Sequence, residues 1–254
     1  SGHGRALGRT ASGTFEHFEP FTLVMQTDAD DPPNSDLYNP AALKYPNADG
    51  VYFMFPSLYR HDTDTLDIRL AVSRDGVHWS WPERAVPYVA LGEPGAFDSG
   101  SLYLGQGMLR AGDVLYLYYS GSPLKHNEAE LDALMKPGNQ RVFSRLVTRV
   151  DRFVAAEAGD EPGFFLTPPM SFRGSHLYLN AETRAGGEIR VALLDADGSA
   201  IAGYGLSDAL QWSGDETNAC MGWKSTSDVA GLAGRPVRLR VELHDASMFA
   251  FQFR

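Results

Sequence analysis

A pattern that recurs about every sixty residues constrains this chain more than any other feature. The segment Asp36 to Tyr59 reads DLYNPAALKYPNADGVYFMFPSLY, and Asp98 to Pro123 reads DSGSLYLGQGMLRAGDVLYLYYSGSP. Each opens with an Asp, runs through a short apolar strand, turns at a Gly/Asp pair and continues into an aromatic-rich strand. A second element repeats as well. LAVSRDGVHW (Leu70 to Trp79) is echoed by RTASGTFEHF (Arg9 to Phe18), where Ser12, His17 and Phe18 fall on Ser73, His78 and Trp79, and more loosely by LVTRVDRFV (Leu146 to Val154). Strand-rich repeats of fixed period mark radial β architectures. In a propeller each four-stranded sheet turns its innermost strand toward a central channel. The spacing predicts that Asp36 and Asp98 each begin the innermost strand of neighbouring blades, with two carboxylates at one channel mouth.

Composition narrows the function classes. At 254 residues and 43% hydrophobic, the chain can build one large β domain or two smaller ones. A net charge of −10 without any basic cluster argues against nucleic acid. No apolar run approaches the ~18 residues of a membrane span, and no signal peptide is visible at Ser1. Cys220 is the single cysteine, so no internal disulfide forms. That fits a reducing compartment, and equally a secreted bacterial protein built without disulfides.

Two regions follow. Residues 1–160 read as short strands between turn signals. Tyr52 to Phe55 and Val114 to Tyr119 are dense in aromatic and β-branched residues, as strands buried on both faces are. One helix is expected over Asn127 to Met135, ended by Lys136-Pro137-Gly138. Residues 161–254 alternate apolar and polar positions, in HLYLNAE, EIRVALLD, VRLRVELH and MFAFQF. That alternation predicts an antiparallel β-sandwich, with Leu177, Leu179, Val191, Leu193, Leu239 and Val241 inside. The fold class is therefore all-β.

SRDGVHW (Ser73 to Trp79) looks like the Ser-x-Asp-Gly hairpin, closed by Trp, of glycoside-hydrolase propellers. The openings DLYNPAA and FDSGSLYL resemble inner strands of the five-bladed furanosidase and fructosidase-like enzymes, the "glycosyl hydrolase family 32 N-terminal-like" bacterial proteins among them. In that family a C-terminal β-sandwich follows the propeller. The resemblance implies hydrolysis of O-glycosyl bonds in a furanoside or related carbohydrate, no cofactor, and a secreted or periplasmic location. It implies that Asp36 matches the family's middle Asp, which stabilises the transition state and binds substrate hydroxyls. Five blades need roughly twice the propeller length present here. The chain is thus expected to be a C-terminal portion of a longer protein, to have its propeller completed by a second chain or copy, or to adopt a smaller β fold.

Glycoside hydrolysis requires a protonated carboxylic acid and a second carboxylate ~5 to 9 Å away. Asp36, Asp98 and the loop residue Glu93 are the catalytic candidates; the alternative readings are a turn or strand-cap Asp at 36 and 98 and a solvated loop residue at Glu93. Arg60, His61, His126 and Tyr38 are candidates for binding substrate hydroxyls and stacking on a sugar ring; two His at matching strand ends are more informative than one alone. Asp75 and His78 read as structural. Asp28, Asp30, Asp31 and Asp36 lie close enough in sequence to suit Ca²⁺, although their spacing matches no EF-hand loop. Carbohydrate is the expected partner. The alternatives are a non-catalytic carbohydrate-binding protein of the same architecture, and an interaction module whose open sheet edge pairs with another chain.

Overall fold

The computed structural model describes residues 4–128 and 135–254. Two compact units divide the chain, Ser1–Val147 and Thr148–Arg254, whereas the change in composition falls near residue 160. The chain is all-β. Among the described residues the sole helical turn is Ala230–Leu232, and no helix is long and apolar enough to cross a membrane. Most of the helix expected over Asn127 to Met135 lies outside the described residues.

The first unit carries β1 (Leu7–Arg9), β2 (Thr22–Met25), β3 (Ser35–Tyr38), β4 (Leu43–Lys44), β5 (Tyr52–Met54), β6 (Ser57–Arg60), β7 (Thr65–Ile68), β8 (Ala71–Ser73), β9 (Trp79–Ser80), β10 (Ser101–Leu104), β11 (Leu109–Ala111), β12 (Val114–Ser122) and β13 (Val142–Arg149). Strands β3 to β9 form an antiparallel meander whose first three runs are each broken in the middle. One break is Phe55-Pro56, where Pro has no N–H to give a ladder. The half-runs beyond the breaks form the four-stranded sheet β4-β5-β8-β9. The other halves join a seven-stranded sheet in the order β11-β12-β10-β7-β6-β3, with β13 paired to β12. The two repeated segments thus each supply an antiparallel pair, β3 with β6 and β10 with β12.

These two pairs do not begin separate neighbouring sheets. They share one sheet through a parallel bridge between Leu66 and Ser101, and β3 lies at its edge. Asp98 precedes β10 rather than opening it. The true correspondence is Asp36-Leu37-Tyr38 with Ser101-Leu102-Tyr103. Asp36 stands opposite Tyr59, and Ser101 opposite Ser122. Leu37 and Leu102 point into the apolar core.

The second repeat survives as a turn. Ser73 Oγ accepts from the N–H of Asp75 and Gly76, and Ser12 Oγ accepts from Thr14 and Phe15. Three residues after each hydroxyl the backbone is left-handed, with φ of 73° at Gly76, 64° at Phe15 and 64° at Asp151, which follows Thr148. Asp75 completes its own turn by accepting from the N–H of Val77 and His78 and by bonding the His78 ring. Both residues are structural.

The second unit is one five-stranded antiparallel sheet of β14 (Ala156–Ala158), β15 (Gly163–Leu166), β16 (Leu177–Asp195), β17 (Asp215–Cys220) and β18 (Val237–Phe253). β16 and β18 pair over nearly their whole length, with register breaks at Asn180/Ala181 and Thr183/Glu188. The second break is built by Gly187, whose position leaves no room for a Cβ: one would lie 2.3 Å from the Asp245 carbonyl oxygen. Asp245 itself has a φ of 42°. Inward residues on both sides of the break belong to one apolar core. The six residues expected inside are all 0–2% exposed.

Candidate functional site

The register of the seven-stranded sheet decides which side chains meet. Cross-strand partners share a face, so Asp36, Tyr38, Tyr59, Ser101 and Tyr103 all project to one side. His61 follows β6, Asp64 sits in the β6–β7 turn, and His126 and Asn127 follow β12. Together they form a polar, aromatic cluster. His61 Nε2 lies 3.0 Å from Asp36 Oδ2. The Tyr59 hydroxyl donates to Asp64 Oδ1 at 2.8 Å. Asn127 binds the same carboxylate twice, through its backbone N–H at 3.0 Å and its amide at 2.7 Å. Tyr103 Oη and His126 Nδ1 are 2.7 Å apart. The His126 ring packs edge-on against Tyr38 and tilted against Tyr59, with centroids at 5.2 and 5.0 Å. Asp36 is 5% exposed, while the His61 side chain is 50% exposed.

Protonation states follow from these contacts. Burial works to raise the Asp64 pKa, but hydrogen bonds from the Asn127 backbone, the Tyr59 hydroxyl and the Asn127 amide outweigh it and hold the carboxyl below its ordinary value. Burial, reinforced by the bond to Asp64, raises the Tyr59 phenol. Burial lowers the His126 imidazole, and the charges of Arg5 and Arg141 add to this against the attraction of Asp64. His126 is therefore neutral at pH 7, able to pass or receive a hydrogen bond through Tyr103.

This gives a pH prediction. The unfolded chain takes up a proton on His126 near pH 6.5, before the folded protein does. The stability His126 contributes is thus fully present above pH 6.5 and is lost as pH falls through the lower, folded value. Asp64 acts in a separate window, below its unfolded pKa of 3.8. Thermal midpoints measured from pH 7.5 to 5 should fall with acidification, and His126→Gln should flatten that part of the profile. An equally steep profile in the variant would refute the assignment.

The structure brings four of the sequence-predicted residues together: Asp36, His61, His126 and Tyr38. Arg60 lies on the opposite face, paired with the buried Asp67 at 2.7 Å. Asp98 accepts from the Tyr119 hydroxyl at 3.1 Å and packs against Gly121. Tyr119 and Gly121 stand opposite Leu104 and Leu102, so Asp98 also belongs to the far side of the sheet from Asp36. Glu93 is exposed in the Glu93–Ala96 turn. In the acidic stretch at 28–31 one cation, Arg84, bridges all three carboxylates, reaching Asp28, Asp30 and Asp31 at 2.7, 3.3 and 2.9 Å. No group of three or more metal-ligating side chains occurs among the described residues.

Sequence reasoning missed Asp64, Ser101, Tyr103, Asn127, Arg5 and Arg141. The shared Leu-Tyr of DLY and SLY was the available signal for Ser101 and Tyr103. Beside Tyr103 the sheet opens into a groove of about 460 Å³ lined by Asn39, Tyr118, Ser120 and Phe143. Phe143 is 81% exposed. No family model matches the chain, and no curated protein matches it.

Proposed function

We propose that the first unit recognises a carbohydrate at this polar, aromatic face, as the binding part of a glycoside hydrolase-like protein. One observation carries the reading. A single strand-borne carboxylate, Asp36, lies on the same side of the sheet as Tyr38, Tyr59, Tyr103 and the two His, while the matching position of the second segment is Ser101. The buried Asp36 holds the half-exposed His61 ring, which serves sugar hydroxyls, and aromatic faces pack against the C–H side of a sugar ring. The architecture we infer behind it is a partial five-bladed propeller followed by a separate antiparallel β unit. Its support is the broken four-run meander and the hydroxyl-capped turn that returns at Ser12 and Ser73.

Hydrolysis is the second reading. Asp36 and Asp64 both act electrostatically on the Tyr59 hydroxyl, so two carboxylates flank one ring. Hydrolysis also needs a group that stays protonated until it donates to the leaving oxygen. Asp64 is held ionised, which suits a base or a transition-state stabiliser and not that acid. Binding therefore ranks first.

Calorimetric titration with a panel of mono- and oligosaccharides tests the proposal. Asp36→Asn should weaken the best ligand by about tenfold, as loss of the charged bond that orients His61 does, while Asp98→Asn leaves affinity unchanged. Equal losses in both variants, or no sugar bound at millimolar concentration, would reject it.

A further inference from the structure

Two arginines sit at the ends of the ring row that crosses the polar face. The Arg5 guanidinium lies over Tyr38, 4.5 Å from the ring centroid. The Arg141 guanidinium lies over Tyr103 at 5.0 Å. Between them runs Tyr38–His126–Tyr103, with centroid steps of 5.2 and 6.4 Å. Both arginines act electrostatically on His126 and on Tyr103, which places both charges at the same face.

What these guanidiniums bind within the protein is limited. The Arg141 side chain donates to the hydroxyls of Ser101 and Ser120, at 3.0 and 3.4 Å. Arg5 contributes its backbone carbonyl, which accepts from Leu37 N–H at 3.2 Å, and stacks on Tyr38. Among the described residues neither side chain pairs with a carboxylate. Elsewhere in the first unit, Arg60, Arg69, Arg84 and Arg110 each face an Asp. The nearby acids are occupied: Asp36 by His61, and Asp64 by Tyr59 and Asn127. A guanidinium has five N–H donors in a fixed fork that matches a carboxylate or a sulfate. Stacking on tyrosine orients that fork without using its donors. Both residues are open to solvent, so a ligand can reach them.

We propose that the carbohydrate taken at this face is an acidic oligosaccharide, whose carboxylate or sulfate groups are received by Arg5 at one end of the row and Arg141 at the other. The inference rests on the carbohydrate reading and names its substrate class. The neutral His126 in the middle suits it, because an uncharged imidazole serves a sugar hydroxyl as donor or acceptor and leaves the acidic groups to the arginines.

The test uses four probes on the full chain at low and high salt: a uronate tetrasaccharide, a sulfated tetrasaccharide, a neutral one of the same length, and inorganic sulfate. One acidic tetrasaccharide should bind about tenfold or more tighter than the neutral one, and whichever does identifies the anionic group. The advantage should shrink with salt, and it should be lost stepwise in Arg5→Gln and Arg141→Gln while binding of the neutral sugar changes less than about twofold. Arg141→Lys, which keeps charge but not the fork, should recover only part of it. If Arg141→Gln lowers the melting temperature, Arg5→Gln decides, since the Arg5 side chain makes no hydrogen bond within the described residues. Neutral and acidic sugars bound equally, or wild-type affinity for the acidic sugar in both Gln variants, would overturn the inference and leave carbohydrate binding standing. Inorganic sulfate bound as tightly as the acidic tetrasaccharide would overturn it as a simple ion site. Failure of every sugar to bind would sink the carbohydrate reading with it.

Discussion

Asp67→Ala should destabilise the first unit by about 3–5 kcal/mol, the usual cost of breaking a buried ion pair by removing one partner. Asp67 is 2% exposed and Arg69 4%. The Asp67 carboxylate accepts from Arg69 at two points, Nε at 2.7 Å and Nη2 at 3.2 Å, and meets Arg60 at 2.7 Å. The third nitrogen, Arg69 Nη1, donates to the Arg84 carbonyl at 2.9 Å, which fixes the loop carrying the Arg84–Asp28–Asp31 cluster. Deleting the acid therefore strands two cations, one of them out of water. Replacing the whole pair, as in Asp67→Leu with Arg69→Met, removes the stranded charge and should be milder than Asp67→Ala alone. Denaturant midpoints of the two variants and the parent measure this. A loss under about 1 kcal/mol for Asp67→Ala would mean the trio behaves like a solvated surface pair.

That network explains why Arg60 reads differently in sequence and in structure. By position it is the residue before His61, at the end of a strand whose partners reach the polar face. Successive strand residues point to opposite sides, so Tyr59 and Arg60 part company, and only the register of β6 against β3 tells which one joins Asp36. Asp98 illustrates the same physics more strongly. Aligning the two segments by their leading Asp sets Asp98 against Asp36, whereas the strands align Ser101 with Asp36. The difference is three residues, and any odd slip moves a side chain to the other face. The leading Asp belongs instead to a folded-back loop, closed by Gly92 N–H to the Asp98 carbonyl and by Gly100, where a Cβ would meet the Leu124 carbonyl oxygen at 2.3 Å. Such long-range closeness leaves no local trace. Nor does the bond between Asp64 and Asn127, or that between Arg84 and Asp31. Period-2 alternation and turn chemistry are local, and they carried the all-β class, the inward residues of β16 and β18, and the Ser73 turn. His61 and His126 stood out because strand ends that repeat converge in space whatever the exact register.

Trp223→Ala should destabilise the second unit by about 3–5 kcal/mol, as removal of a buried Trp does, and lower its melting temperature by more than roughly 10 °C. Trp223 is 2% exposed within the single core of that unit. Its ring meets Tyr204 edge-on at 5.2 Å, and its indole N–H donates to the Val191 carbonyl at 3.0 Å. That bond matters because β17 covers β16 only as far as Glu182. Beyond it the open edge of β16 is satisfied by groups from the irregular segment that follows: Trp212 exchanges bonds with Ile189, the Tyr204 carbonyl accepts from Leu193, and the Ser199 carbonyl accepts from Asp195. Trp223 pins this segment over the sheet from within the core. Its removal leaves a cavity and a buried carbonyl without its donor, two costs that add. Trp223→Phe separates them. It keeps most of the apolar volume and loses the hydrogen bond, so it should cost about 1–3 kcal/mol. Hydrogen exchange should then show faster opening at Ile189 and Leu193 in both variants, with Leu239 and Val241 least affected in Trp223→Phe. Equal losses in the Phe and Ala variants would assign the effect to the indole hydrogen bond alone, and a loss below about 1 kcal/mol in both would show that the edge of β16 is held without Trp223.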